Sequence, residues 1–461
     1  MSGMGVRIKV RQLGSSLGER RTPMPHQNSF LDWARRRLRV PCFMEMRLGK
    51  SLSVKWWAQS FSPENVLIVG PLSTLSSWQD ELDLEGIVPI VLSGKSSARL
   101  VTSRAYSGWF LINYEGLRLA PEIADEPWDA VILDESTRIR NPRAQITKLC
   151  LNSFGHVPNR AVLSGLPNPE SLMDYWCQMA FLFDGWLGCS NYYHFRSKYF
   201  QKGNSKWSWL PKKGTRHAIN VALETDAFQL TRAQAGIGSK KVFERRVIPM
   251  NDRQQKAHDL ALKHMELELD GQIVETKWVI SRIIWLARIA GGFHPLGPLL
   301  GDGKIKELVS LLTGELVKEQ VLVWFRFRQE IDHVETALRK AKVSFDVIHG
   351  GVPPEKRRGV RQRFKKGDVR VLLLQVQTGR FGLDLSASST AIYYSNTYVG
   401  EDRAQSEDRL VHPKKNEPLL YIDLVSKGSI DQEIVAKVRM KKSLSKLMMT
   451  EILRCLARRS Q

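Results

Sequence analysis

Residues 131–137 read VILDEST, an apolar run that ends in two carboxylates. A short apolar run between polar segments is typical of a buried strand in a parallel sheet. The chain contains three Asp-Glu pairs, but only Asp134–Glu135 directly follows such a run. This pair is therefore predicted at the carboxyl end of a strand, where open α/β sheets bind their ligands.

Comparable apolar runs recur along the chain, at residues 66–69, 321–325 and 369–374. They alternate with amphipathic stretches, and this alternation favours a doubly wound α/β fold. The sequence between the two groups of predicted strands is rich in Trp, Lys and helical periodicity, for example at 253–268 and 278–290. The predicted organisation begins with a basic N-terminal tail (1–22) and a first sheet-containing lobe (23–174). A helical insertion and connector (175–300), a second lobe (301–428) and basic C-terminal helices (429–461) follow.

The charge of the chain indicates a polyanionic partner. Lys and Arg number 69 against 47 Asp and Glu, which gives a formal net charge of +22. Such an excess repels itself and is normally matched by nucleic acid or by an anionic membrane surface. The basic residues are spread through the chain rather than gathered on one amphipathic stretch, which favours nucleic acid. No apolar run approaches the roughly 18 residues of a membrane span and no secretory signal is found, so we expect a cytoplasmic protein without a membrane partner.

The cysteines exclude two further classes of protein. Five cysteines are scattered through the sequence without a Cys-x-x-Cys pair. This pattern predicts free thiols rather than a disulfide framework or a zinc site.

A basic loop at residues 202–216, KGNSKWSWLPKKGTR, carries Trp207 and Trp209. Basic residues interleaved with aromatic ones can hold a nucleic-acid backbone and stack on exposed bases. The alternative is a surface loop whose tryptophans pack on neighbouring helices. The sequence leaves both interpretations open.

The stretch MEMRLGKS, residues 44–51, has features of a triphosphate site. A glycine turn lets backbone N–H groups converge on a phosphate, Lys50 supplies an ammonium to the terminal oxygens, and the Ser51 hydroxyl can ligate Mg²⁺. The usual pattern places Gly six residues before the lysine, whereas this chain has Met44. The motif alone is therefore only suggestive, but it lies upstream of the acidic pair in the expected order. If the two motifs form one nucleotide site, Asp134 holds Mg²⁺ through water, and Glu135 orients and deprotonates the attacking water.

Together with other stretches, these motifs resemble the SWI/SNF-type branch of superfamily 2 helicase-like ATPases, in a compact form such as phages carry. The resemblance runs from about Pro25 to Lys446 and keeps the family's order of motifs. It implies two tandem RecA-like parallel-sheet lobes that close on ATP, with nucleic acid lying across both. The first-lobe motifs are PHQ (25–27), MEMRLGKS, GPLSTLSSWQDEL (70–82), LDESTRIRNP (133–142) and the coupling motif LSGLPNPES (163–171). The implied ATP contacts there are Gln27, Met46, Gly49, Lys50 and Ser51, and the implied nucleic-acid contacts are Ser73, Thr74 and Trp78.

The second half continues the resemblance. Its motifs are VLVWFRFRQEIDHVETAL (321–338), IHGGVPPEKRRGVRQRFKKGD (348–368), QTGRFGLDL (377–385) and QSEDRL (405–410). The implied nucleic-acid contacts are Arg326, His349, Thr378 and Gly379. The implied ATP contacts are Gly382, Asp384 and Gln405, and Arg409 is the implied catalytic arginine.

One departure from the family concerns catalysis. The family places a second arginine three residues after the position of Arg409, and this chain has His412 there. Three interpretations follow. The side chains of His412, Lys414 or Lys415 substitute weakly and the motor is slow, or Arg409 alone or Arg380 serves, or the protein binds ATP and hydrolyses little of it.

The function implied is that of a monomeric, Mg²⁺- and ATP-dependent translocase or remodeller on double-stranded DNA. Single-stranded DNA and RNA remain alternative partners. The rival functions are a strand-separating helicase on DNA or RNA and an ATP-gated DNA clamp with weak hydrolysis. The family implies little reading of bases, so contacts should be mainly to phosphates.

Overall fold

The computed structural model describes residues 8–9, 21–203, 208–269, 276–294, 297–376, 385–412 and 417–439. Contacts divide the chain into two compact units, Met1–Ile237 and Gly238–Gln461. Each unit has its own parallel sheet. No helix among the described residues is long and apolar enough to cross a bilayer.

The first unit is built on a sheet of seven described strands in the order β11-β2-β8-β7-β3-β6-β4. All six strand pairings in this sheet are parallel. Two short pairs, β1 with β5 and β9 with β10, lie outside it. The strands are β1 (Ile8–Lys9), β2 (Arg39–Met44), β3 (Val66–Gly70), β4 (Ile90–Val91), β5 (Tyr106–Ser107), β6 (Trp109–Asn113), β7 (Ala130–Asp134), β8 (Asn159–Leu163), β9 (Phe200–Lys202), β10 (Trp209–Pro211) and β11 (Phe228–Leu230).

Helices cover both faces of this sheet. They are α1 (Pro25–Ala34), α2 (Lys50–Gln59), α3 (Leu72–Asp83), α4 (Ser96–Ala105), α5 (Tyr114–Leu119), α6 (Gln145–Ser153), α7 (Asp174–Leu182), α8 (Tyr192–Tyr199) and α9 (Thr215–Asp226). Alternate residues of β7 enter opposite cores, with Val131 and Leu133 in one and Ala130 and Ile132 in the other. A strand buried on both faces must be apolar at every position, which explains the continuous apolar run before Asp134.

The second unit repeats this architecture with a sheet in the order β12-β17-β16-β13-β15-β14, again entirely parallel. Its strands are β12 (Lys241–Ile248), β13 (Val321–Phe325), β14 (Phe345–Ile348), β15 (Val371–Gln375), β16 (Thr390–Tyr393) and β17 (Leu419–Ser426). Its helices are α10 (Asp252–Leu269), α11 (Thr276–Ala290), α12 (Gly303–Thr313), α13 (Arg328–Lys340), α14 (Pro354–Lys366), α15 (Gly400–Asp408) and α16 (Ile430–Arg439). The predicted α/β class with two parallel-sheet lobes is confirmed.

The segment 175–300 contributes to both sheets as well as forming helices. Strand β11 joins the edge of the first sheet beside β2, and β12 joins the edge of the second beside β17. The limit between the two units, after Ile237, falls inside this segment. Edge strands keep polar side chains, and charged residues interrupt β12, so neither strand has the apolar signature of the central ones.

Candidate active site

The loop between β2 and α2 has glycine where the backbone demands it. Gly49 caps α2 with φ of 71°, a left-handed conformation that favours glycine. A Cβ atom at Gly49 would also collide with the side-chain nitrogen of Gln27. Gln27 itself is buried, and its Oε1 accepts a hydrogen bond from the Met24 N–H at 2.8 Å. The structure therefore brings Gln27 against the turn that precedes Lys50.

The same loop contacts the coupling motif. A Cβ atom at Gly165, just after β8, would lie 2.9 Å from Met46 Cγ and 3.3 Å from Lys50 Nζ. The Lys50 ammonium donates to the carbonyl of Glu45 at 3.2 Å. Below the loop, burial raises the pKa of the Cys42 thiol to about 12, and the charge of Lys50 opposes that shift. Lys50 thus lies where the carboxyl ends of β2 and β8 meet.

Asp134 is held as a buried carboxylate at the end of β7. Its Oδ2 accepts the Trp78 indole N–H at 3.0 Å, and its Oδ1 accepts the Glu135 backbone N–H at 3.0 Å. The Thr74 hydroxyl also hydrogen-bonds to this carboxyl group. Burial raises the pKa of Asp134, while the Trp78 hydrogen bond and then the charge of Lys50 act in the opposite direction. These donors stabilise the ionised form that a metal requires.

Glu135 follows in a strained backbone conformation. Its φ and ψ are 50° and 54°, in the left-handed region that non-glycine residues rarely adopt. Such a conformation costs on the order of 1–3 kcal/mol and is typically retained where function requires it. The neighbouring Tyr114 hydroxyl donates to the Asp134 carbonyl at 2.8 Å and fixes the start of this turn.

A buried amide that the sequence did not indicate joins the acidic turn to the coupling motif. The fully buried Gln178 of α7 accepts the Ser136 hydroxyl at 2.7 Å through Oε1. Its amide nitrogen donates to the carbonyls of Pro167 at 2.6 Å and Asp174 at 2.8 Å. The only hint in the sequence is a glutamine within the otherwise apolar helix DYWCQMAFL. The Gln178 side chain therefore hydrogen-bonds both to Ser136, which follows the acidic pair, and to Pro167 of the coupling motif.

The residues present fit a nucleotide with Mg²⁺. They combine an ammonium at Lys50, a hydroxyl at Ser51 in the first turn of α2, and the carboxylates of Asp134 and Glu135. No cluster of three or more His, Cys, Asp or Glu that could hold a metal occurs in the described residues. The Ser51 hydroxyl and the two carboxylates suit Mg²⁺, which commonly uses one or two carboxylates and takes its other ligands from phosphates and water.

Trp78 and Thr74, two of the residues predicted to contact nucleic acid, both hydrogen-bond to Asp134. Trp78 is 1% exposed, and both side chains point at Asp134. They are four residues apart on α3, so they share one helix face, and that face is turned toward β7. In this structure the Trp78 indole supports the carboxylate, and its contact with nucleic acid stays a prediction. The side chain of Ser73 lies outside the described residues.

The predicted residues of the second unit are dispersed among several elements. Arg326 follows β13, is 9% exposed and packs its guanidinium 4.3 Å from the centre of the Tyr398 ring. Burial lowers its pKa, and this degree of enclosure disfavours a direct phosphate contact. His349 follows β14, and its Nδ1 accepts the Gly351 N–H at 3.0 Å.

The helix that carries Gln405 and ends at Arg409 is anchored by a residue the sequence did not indicate. Arg403 is 2% exposed and pairs with Asp423 at 2.5 Å and Glu407 at 2.8 Å. Its guanidinium also stacks over the Tyr393 ring at 3.4 Å. This buried network fixes α15 on the sheet. The residues Thr378, Gly379, Arg380, Gly382, Asp384, Lys414 and Lys415 lie outside the described residues.

Comparison with known proteins identifies the family. Residues 22–275, more than half of the chain, match the SNF2-related domain, and residues 303–413 match the helicase conserved C-terminal domain. The DNA repair and recombination protein RDH54 of Saccharomyces cerevisiae (strain JAY291) is 24% identical over 83% of this chain and 46% of its own. This chain thus spans less than half the length of that relative.

A phage protein and an archaeal structure are also similar. Putative protein p41 of Acyrthosiphon pisum secondary endosymbiont phage 1 is 21% identical, over 93% of this chain and 98% of its own. The Sulfolobus solfataricus SWI2/SNF2 ATPase core in complex with dsDNA aligns over 97% of each chain, with 18% identity and a TM-score of 0.45. The resemblance drawn from the motifs is confirmed, and the chain belongs to the SNF2-related family.

Proposed function

We propose that this chain is an ATP-hydrolysing motor that moves along double-stranded DNA without separating its strands. The observation that carries the proposal is the meeting of Lys50, Asp134 and Gly165 at one edge of the first sheet, in a chain with an SNF2-related domain. That edge joins a phosphate-binding loop, an acidic pair and the coupling motif.

The first unit supplies the chemistry for hydrolysis. Gln27 reads the base, and the backbone at Met46 and Gly49 cradles the phosphates. Lys50 balances the charge of the terminal phosphates, while Ser51 and Asp134 hold Mg²⁺, which neutralises charge on the phosphate oxygens when bound. Glu135 orients the attacking water and accepts its proton. The buried donors to Asp134 support this assignment because they favour the ionised carboxylate against the effect of burial, which raises its pKa.

The second unit supplies further contacts. We assign Arg409 to stabilisation of charge on the terminal phosphate, and Gln405, Gly382 and Asp384 to the nucleotide. The anchoring of α15 through Arg403 supports a positioned rather than a freely moving Arg409. His349, Thr378 and Gly379 are assigned to the nucleic-acid backbone.

Double-stranded DNA is the proposed track. The formal charge of +22 suits a phosphate backbone. Relatives in two yeasts carry names that refer to DNA repair and recombination and to chromatin remodelling, which favours DNA over RNA.

A triplex-displacement assay run beside a strand-displacement assay tests the mode of action. A translocase removes the third strand from a triplex in an ATP-dependent manner and leaves a forked duplex intact. Lys50→Ala serves as the control without hydrolysis. Unwinding of the forked duplex with ATP would replace the proposal by a strand-separating helicase.

The second candidate function is an ATP-gated DNA clamp, and His412 is the observation that favours it. An arginine finger is worth roughly 10³–10⁵ in rate in related ATPases, so its replacement by histidine could leave binding without turnover. ATP binding with hydrolysis at background on every nucleic acid would establish the clamp.

A further inference from the structure

We propose that the first unit carries a second surface for the phosphate backbone of duplex DNA, separate from its motor motifs. We call this surface the basic platform, and it comprises the described residues of α8, β9, β10 and the first turn of α9, residues 192–203 and 208–217. The proposal rests on the proposed function only in taking duplex DNA as the ligand.

The composition of this region is one-sided. Residues 185–223 contain seven Lys and Arg and no Asp or Glu: Arg196, Lys198, Lys202, Lys206, Lys212, Lys213 and Arg216. Lys198, Lys202, Lys212, Lys213 and Arg216 are all exposed. Lys206 lies outside the described residues, and within the described part of the chain none of the other six side chains pairs with a carboxylate. So many unpaired like charges repel one another, and a polyanion relieves that repulsion.

Hydrogen bonds from two lysines and a buried aromatic core fix the backbone of the platform. The Lys198 ammonium donates to the Leu187 carbonyl at 3.0 Å, and the Lys212 ammonium donates to the Ser197 carbonyl at 2.6 Å. Beneath them Phe195 and Phe200 are buried in the core of the unit. Lys212 therefore pins the end of the hairpin to α8, and Lys198 pins α8 to the turn at residues 186–188. These bonds reduce the backbone freedom that would be lost when a ligand binds.

The guanidinium of Arg196 lies over two aromatic rings and can still bind an anion. Its guanidinium lies 4.2 Å from the centre of the Trp209 ring and 5.3 Å from that of Tyr193. Stacking of a guanidinium leaves the N–H donors along its edge free for phosphate oxygens. The same stacking covers a face of Trp209 that a single-stranded base would need, so the arrangement favours the backbone of a duplex over unpaired bases.

An acidic protein fits the surface less well. Protein interfaces have an apolar centre, whereas the large exposed apolar side chains among the platform's described residues are Tyr193 and Leu210, at 51% and 48%. Contacts to DNA go mostly to phosphates and need no apolar centre. Of the two tryptophans noted in the basic loop, Trp209 packs on Arg196, and Trp207 lies outside the described residues.

The test is a platform variant with Lys202→Ala, Lys213→Ala and Arg216→Ala, which leaves Arg196 and the two pinning lysines in place. A matched control, Lys318→Ala, Lys340→Ala and Lys427→Ala, removes three exposed lysines from the second unit. Binding of a short fluorescein-labelled duplex is measured across a salt series. The slope of log affinity against log salt should fall by about 0.9 for each phosphate that the platform variant no longer neutralises, and it should not fall in the control.

The ATPase rate at saturating duplex should stay at the wild-type value in both variants, because neither touches the nucleotide site. A platform variant with the wild-type affinity and slope overturns the inference. So does a variant that keeps DNA binding but loses binding to polyglutamate, which would assign the surface to an acidic protein. Failure of the proposed function is distinguishable, since the wild-type ATPase would then not respond to duplex at all.

Discussion

The bond between Ser136 and Gln178 should couple the acidic turn to the coupling motif, and two substitutions test this. Gln178→Met removes the acceptor of the Ser136 hydroxyl and the donors to the carbonyls of Pro167 and Asp174. Ser136→Ala removes the hydroxyl alone. We expect each single variant to lower kcat of DNA-stimulated hydrolysis and to leave ATP binding unchanged, because neither side chain contacts the phosphate-binding loop.

The magnitude follows from burial. A buried polar group left without its partner costs about 1–3 kcal/mol. In Gln178→Met the Ser136 hydroxyl keeps only a longer bond to the Leu163 carbonyl, at 3.2 Å. Once either partner is removed, removal of the other costs less, so the double variant should fall short of additivity by about 1 kcal/mol, or about fivefold in kcat/KM.

The assay is a double-mutant cycle on steady-state ATP hydrolysis at saturating duplex DNA. Gln254→Met is the matched control, because Gln254 is also buried, belongs to the second unit and donates to the Ile289 carbonyl at 2.7 Å rather than to a residue of these motifs. It should lower thermal stability without lowering kcat. Single effects that add to within about 0.5 kcal/mol, or an equal loss of kcat in Gln254→Met, would refute the coupling.

Four further predictions concern single residues. Glu135→Gln should lower kcat by about 10²–10⁴ while ATP binding and DNA binding at low salt persist, as measured by steady-state hydrolysis and nucleotide titration. Trp78→Phe removes a hydrogen bond that lowers the pKa of Asp134, so the acid limb of the pH–kcat/KM profile should move to higher pH. His412→Arg should raise kcat by about tenfold or more, since it restores an arginine that contributes far more in related ATPases. Burial raises the pKa of Glu330 to about 7. The unfolded carboxyl titrates at about 4.3. The stability that protonated Glu330 contributes is therefore lost as the pH rises from about 4.3 through about 7. Glu330→Gln should flatten the plot of Tm against pH over that range.

Each has a contrary outcome. Residual turnover near wild type in Glu135→Gln would move the general base elsewhere. An unshifted acid limb in Trp78→Phe would mean that Asp134 does not set it. An unchanged rate in His412→Arg would show that another arginine already serves, and parallel melting curves would show that Glu330 is ionised throughout.

The central strands and the phosphate-binding loop were predictable because their physics is local. A strand covered on both faces, such as β7 or β13, must be apolar throughout, and the left-handed position before Lys50, where Gln27 leaves no room for a Cβ atom, favours glycine. The position of Asp134–Glu135 followed from the end of such a strand. These features depend on a few consecutive residues, which the sequence displays directly.

Features that depend on distant partners were not predictable from the pattern. Trp78 belongs to a motif associated with nucleic acid, yet its indole N–H satisfies a carboxylate 56 residues away. The roles of Gln178 and Arg403 arise from buried polar partners on other elements, and neither residue has a periodicity that reveals them. Strands β11 and β12 were not predicted from the sequence, because edge positions of a sheet tolerate polar side chains.

The most direct test of the account is ATP hydrolysis measured in parallel with duplex DNA, single-stranded DNA, RNA and no nucleic acid, using Glu135→Gln as the blank. The duplex should stimulate hydrolysis most strongly, and this stimulation should fall with added salt and be missing from the blank. Hydrolysis that is equal with and without duplex, or that survives in Glu135→Gln, would contradict it.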